Sequence, residues 1–249
     1  MPRQLWIDDH IEMRGDATHR SNMDGPWQPT DVNFIDDFTD DTLDTAAWTA
    51  TVTNHTIAVD HGTYSGGWCK FTLAASHDNE SCHLGGAVCW EDDQYAMFEA
   101  RILVTDVSAC YVYAGFSDEV EETSPDTPID YMGGTLAAAA TNAVGILMDG
   151  EDTVNGASSI VGVSIDTSLN TAVDSESDWA DGEIHVLRIE LDPDGDATYW
   201  LDGNCFGRTA VAVTSGTKLC PMIACAVRGT AEETVYVDYV WCSQKRDTV

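Results

Sequence analysis

The side chains able to do chemistry in this chain are mostly carboxylates: 43 Asp and Glu face 11 Lys and Arg, giving a formal charge of −32. The seven histidines are scattered, with no H-x-x-x-H or H-E-x-x-H spacing for a metal and no G-x-S-x-G or phosphate-cradling glycine loop. His77, Cys82, His83 and Cys89 hold metal-binding residue types. However, the adjacent Cys82 and His83 would point to opposite faces of a strand, which argues against shared ligation. Asp192, Asp194 and Asp196 stand at calcium-loop spacing but lack the glycine position and distant glutamate of such a loop, so the stretch reads as a hairpin turn. No metal ligand set is assigned, no cofactor is expected, and calcium is the one ion left open by so many hard oxygens.

The charge also bears on partners. A surface this negative repels nucleic acid and anionic lipid and keeps the protein soluble. No apolar run reaches the roughly 20 residues that cross a bilayer. Neither nucleic acid nor membrane is therefore an expected partner. Residues 1–9 lack a basic start followed by an apolar stretch, which reads as no secretory signal. On that reading the eight cysteines are expected to be reduced thiols, most of them buried as small hydrophobes.

The elements that must position these groups are strands. From Val32 onward short segments alternate between turn clusters. Residues 95–104 set Met97, Glu99, Arg101 and Leu103 opposite Phe98, Ile102 and Val104. Residues 183–191 alternate in such a way that Ile184, Val186, Ile189 and Leu191 share a face only through a bulge. The last strand sets Val235, Val237, Tyr239 and Trp241 against Tyr236, Asp238 and Val240. Only residues 136–142 and 175–180 have helical preference, and both are too short to stand alone. Twelve to fourteen strands with turns between them imply an all-β, two-sheet antiparallel jelly-roll sandwich over residues 32–249. Residues 1–31 read as an extended N-terminal arm carrying Trp6, Ile7, Ile11, Met13, Arg14 and Trp27, large side chains in need of a surface.

Three stretches carry a family resemblance. Asp36-Asp37-Phe38, then Leu43-Asp44, then Trp48 resemble the opening of laminarinase-type glycoside hydrolases and laminin G-like lectin domains. Trp200-Leu201-Asp202-Gly203 and Val237-Asp238-Tyr239-Val240 resemble later strands of the same concanavalin A-like lectin and glucanase superfamily. The resemblance implies a concanavalin A-like jelly roll. Its hydrolase members carry an E-x-D-x-x-E strand whose alternating carboxylates face the cleft. Here the corresponding run, Asn142 to Asp149, holds one carboxylate at its end, and Tyr111 to Phe116 holds none.

A second similarity extends from Phe98 through Gly115-Phe116-Ser117-Asp118 and Asn142–Asp149 to Val161-Gly162-Val163. This run resembles jelly-roll proteins from the structural genes of tailed bacteriophages. It implies a non-enzymatic capsid-decoration or other virion-surface protein, made in the host bacterial cytoplasm. Such a protein would be a homo-oligomer anchored on the major capsid protein or other virion proteins through its arm. The alternatives are a lectin-like module binding glycans through Trp68, Trp90, Tyr131 and Trp179, and a glycoside hydrolase with atypical catalytic residues.

Overall fold

The computed structural model describes residues 31–75, 77, 79–120, 127–131 and 134–246. The six arm residues lie outside that set. The described chain forms 17 strands in three antiparallel sheets, more than the alternation alone implies, because short pairings at the sheet edges and in the 127–140 segment add to the count.

The eight-stranded sheet runs in the order β15 (Asn204–Thr209), β14 (Ala197–Leu201), β13 (Ile184–Leu191), β6 (Met97–Val104), β17 (Glu233–Lys245), β4 (Trp68–Leu73) and β3 (Thr56–Asp60). β1 (Asp31–Asp36) pairs with the far half of β17. The seven-stranded sheet runs β12 (Val173–Asp178), β11 (Ser159–Asp166), β10 (Asn142–Asp149), β7 (Cys110–Ser117), β16 (Cys220–Val227), β5 (Ser81–Gly85) and β2 (Thr49–Val52). β8 (Ile129–Asp130) and β9 (Ala137–Ala138) make a small hairpin.

Alternation decides what lies between the two large sheets. Phe98, Ala100, Ile102 and Val104 of β6 meet Val112, Ala114 and Phe116 of β7 in one core, joined by Leu187, Ile189 and Leu191 of β13. Each such aliphatic or aromatic side chain removed from water stabilises the fold by about 1.5–3 kcal/mol. Asp36, of the opening motif, is structural: one oxygen accepts the Phe38 N–H at 2.9 Å and the other accepts Trp48 Nε1–H at 2.7 Å. Phe38 then stacks on Trp48, closing one flank of the core.

Several local expectations change. Residues 136–142 and 175–180 contain strand rather than helix, because β9 finds β8 and β12 finds β11, and pairing outweighs a weak alanine preference. β13 pairs with β6 in unbroken register from Ile184 to Glu190, so no bulge forms there, and Ile184 and Val186 fall on the outer face. The bulge lies instead in β17, between Val237 and Tyr239. It flips the alternation: Val235, Val237, Val240 and Cys242 face the core, while Tyr239 and Trp241 face outward. Residues 192–196 form the hairpin turn, with Asp192 Oδ1 accepting the N–H groups of Asp194 and Asp196. No described helix is long and apolar enough to cross a membrane.

Candidate active site on the open sheet face

The outer faces of the two sheets differ in cover. On the seven-stranded sheet Val120, Ile129, Tyr131, Leu136, Ala138 and Ala140 lie over Tyr111, Tyr113, Leu147, Val161 and Met222 and pack with them into a second apolar cluster. The outward positions of β10, the run set against the E-x-D-x-x-E pattern, are Ala143, Gly145, Leu147 and Asp149, all buried. Gly145 is required there: a Cβ would stand 2.3 Å from the Tyr113 ring. Gly85 plays the same role beneath Val120, whose carbonyl oxygen would meet an added Cβ at 2.2 Å.

Asp149, fully buried, works as a staple. Arg228 grips it through Nε and Nη2 at 2.9 Å each, and the N–H groups of Tyr131 and Glu151 donate to the same carboxylate at 2.9 and 3.0 Å. Arg228 also reaches Asp130 at 3.2 Å and lies over the Tyr111 ring. These partners satisfy both buried charges and fasten the cover.

Among the described residues, no segment lies across the outer face of the eight-stranded sheet around Arg188, Glu99 and Glu190. Register aligns Trp200, Arg188, Glu99 and Trp241 in one row across β14, β13, β6 and β17. Glu190 sits one row along, opposite Met97 and Thr198. Arg188, Glu190 and Trp241, with Tyr95, Met97 and Thr198, line a trough of about 370 Å³. Arg188 pairs with Glu190 and lies 3.9 Å from Glu99. Diagonal neighbours on an antiparallel pair stand about 7–8 Å apart, so Glu99 and Glu190 converge on one guanidinium from adjacent strands.

The bulge in β17 adds a further contact, the Tyr239 hydroxyl donating to Glu99 Oε1 at 2.7 Å. Burial, and then the adjacent Glu99 carboxylate, push the Tyr239 phenol above its ordinary range, keeping it a proton donor at neutral pH. Tyr95, half exposed and held at φ 55°, stands at the rim with Lys245 Nζ 5.5 Å from its ring centre. Arg188 Nε and Trp200 Nε1, neighbours in the row, have no protein acceptor among the described residues.

Trp68, Trp90, Tyr131 and Trp179 are not brought together. Trp68 lies on the open face with Tyr64 and Tyr236, Trp90 packs near Phe116 in the core, Tyr131 belongs to the cover, and Trp179 closes an end of the core against His185. Burial pushes the Tyr131 phenol up to about 12. Alternation had placed Glu99 and Arg101 on one face, but nothing local indicated that Arg188 and Glu190 would lie beside them. Among the described residues no group of three His, Cys, Asp or Glu side chains is arranged to hold a metal. The eight cysteines are free thiols, with Cys89 and Cys205 exposed.

No protein-family model and no curated protein matches the chain. Solved structures do. A β-glucanase of Bacillus licheniformis aligns over 86% of this chain and 98% of its own, at 14% identity and a TM-score of 0.56. The catalytic domain of an endo-1,3-β-glucanase (laminarinase) from Thermotoga petrophila aligns over 86% and 97%, at 13% identity and 0.57. A structure described with endo-acting O-glycanases of the human gut microbiota that initiate mucin breakdown aligns over 86% and 99%, at 9% identity and 0.57.

These neighbours correct the expectation of a non-enzymatic bacteriophage virion protein: they are glycoside hydrolases, and nothing in the comparisons carries the phage resemblance. The misleading signal was a strand pattern, which any jelly roll of this kind repeats whatever its function. The chain has the concanavalin A-like jelly-roll fold of the glucanases.

Proposed function

We propose that the chain is a carbohydrate-active enzyme that cleaves a glycosidic bond on the outer face of its eight-stranded sheet, with Glu99 and Glu190 dividing the acid and base work. The observation that carries this reading is the convergence of two carboxylates from adjacent strands on Arg188, which together with Glu190 lines a trough walled by Tyr95 and Trp241. Glycoside hydrolysis needs two carboxyls about 5–9.5 Å apart, one delivering a proton to the leaving oxygen and one acting on the opposite side of the sugar. Glu99, which accepts the Tyr239 hydrogen bond, is the acceptor of the pair. Glu190, more exposed, lines the trough where a substrate can reach it.

The fold neighbours support a carbohydrate substrate. The cover on the seven-stranded sheet is the reason to place the chemistry on the other face. Aromatic side chains beside carboxylates and guanidinium donors suit a saccharide, which has apolar ring faces and a rim of hydroxyls.

The test is reducing-end release from laminarin, lichenan and mucin O-glycans. Glu99→Gln and Glu190→Gln should each lower the rate by about 10²–10⁴-fold with the circular dichroism spectrum unchanged. Retention of a polymer without cleavage, or full activity in Glu190→Gln, would overturn the hydrolytic reading.

A further inference from the structure

The sparse cations of this acidic chain are gathered. Lys70, Arg101, Arg188, Arg208 and Lys245 all project from strands of the eight-stranded sheet toward its outer face. The three arginines are already engaged: Arg101 with Asp238, Arg188 with Glu99 and Glu190, Arg208 with Asp192 and Asp196. The two lysines lie over rings, Lys70 Nζ 5.7 Å from the centre of Tyr236 and Lys245 Nζ 5.5 Å from that of Tyr95. Those five carboxylates match the five cations in number, and Asp31 opposite Lys245 and Asp60 near Lys70 add two more, so the face carries no excess of positive charge on a chain of −32.

Two consequences follow from electrostatics. None of the three arginines can receive an anionic sugar without giving up a carboxylate partner. Beyond contact range, an approaching polyanion meets the field of the strongly negative body, which is felt over about 30 Å at 0.01 M salt and about 8 Å at 0.15 M.

We infer that the glycan taken in this trough is uncharged, and that the body's field turns acidic polysaccharides away. This rests on the proposed site but concerns what enters it, which is measurable without cleavage. A face without excess positive charge still lets a hydroxyl-bearing polymer dock through hydrogen bonds and ring contacts, neither of which responds strongly to salt. A carboxylated polymer of the same backbone would be opposed by a repulsion that salt screens.

The experiment compares neutral β-glucans, laminarin and lichenan, with their carboxymethylated forms, by affinity electrophoresis and calorimetry at 0.01, 0.15 and 1 M NaCl. Retention of the neutral polymer should vary less than about twofold across this range, because short-range contacts are little screened. The carboxymethylated form should bind at least about tenfold more weakly at the lowest salt and recover part of that deficit as the screening length shrinks to about 3 Å. Replacing Lys70 and Lys245 together by glutamine should widen the deficit. Equal or tighter binding of the carboxymethylated polymer at 0.01 M overturns the inference, and so does retention of neither polymer. Retention of the neutral polymer without hydrolysis upholds it while removing only the cleavage reading.

Discussion

The outer faces of the two sheets hold the same kinds of charged side chain in opposite settings. On the seven-stranded sheet Arg228 and Asp149 are out of water, bound to each other and to backbone N–H groups beneath a cover. On the eight-stranded sheet Arg188, Glu99 and Glu190 are partly wet, and no described segment covers them. Burial makes the first cluster a structural fastening, because neither charge can leave its partner without a large solvation penalty. Exposure makes the second cluster exchangeable, since water or a sugar hydroxyl can replace a partner at little cost.

The largest effect that separates the faces is expected at the fastening. Asp149→Ala leaves Arg228 buried without its bidentate partner and should cost about 3–5 kcal/mol in urea denaturation. A loss under 1 kcal/mol would mean that the cover is not held by this pair. Gly145→Val, beneath the same cover, forces the Tyr113 ring aside and should cost about 1–3 kcal/mol. A midpoint unchanged from the parent would show that the cover yields freely.

On the open face the effects move from stability to activity. Tyr239→Phe removes the hydrogen bond to Glu99, worth about 1.5–3 kcal/mol for a charged acceptor. It should lower kcat by roughly tenfold or more and cost no more than about 1.5–3 kcal/mol in urea denaturation. A parental kcat would detach Tyr239 from the site. Smallest of all, Arg101→Met breaks the half-exposed pair with Asp238 and should change stability by less than about 1 kcal/mol. A loss comparable to that of Asp149→Ala would erase the contrast between the faces.

Much of the fold is legible along the chain. The alternation of residues 97–104 sorts Phe98, Ile102 and Val104 from Glu99 and Arg101 as the structure does. The D-x-F and Trp48 motif is legible as a sandwich opening, and its hydrogen bonds explain the spacing: one Asp36 carboxylate serves both a turn N–H and an indole 12 residues on. The site was much less legible. Its carboxylates come from strands some ninety positions apart, and a single Glu on a strand has no local mark that distinguishes a site from a solvated surface.

The sequence by itself determined the class of fold, the core-facing side of most strands and the turns, because a strand's period of two and a turn's need for Gly, Asp or Asn are local properties. Tertiary structure alone decided which sheet face is covered, where β17 bulges to turn Tyr239 and Trp241 outward, and that Arg188 meets Glu99 and Glu190. Those outcomes depend on strand order and register, which are set by pairing between distant segments and by how a buried apolar face finds its cover.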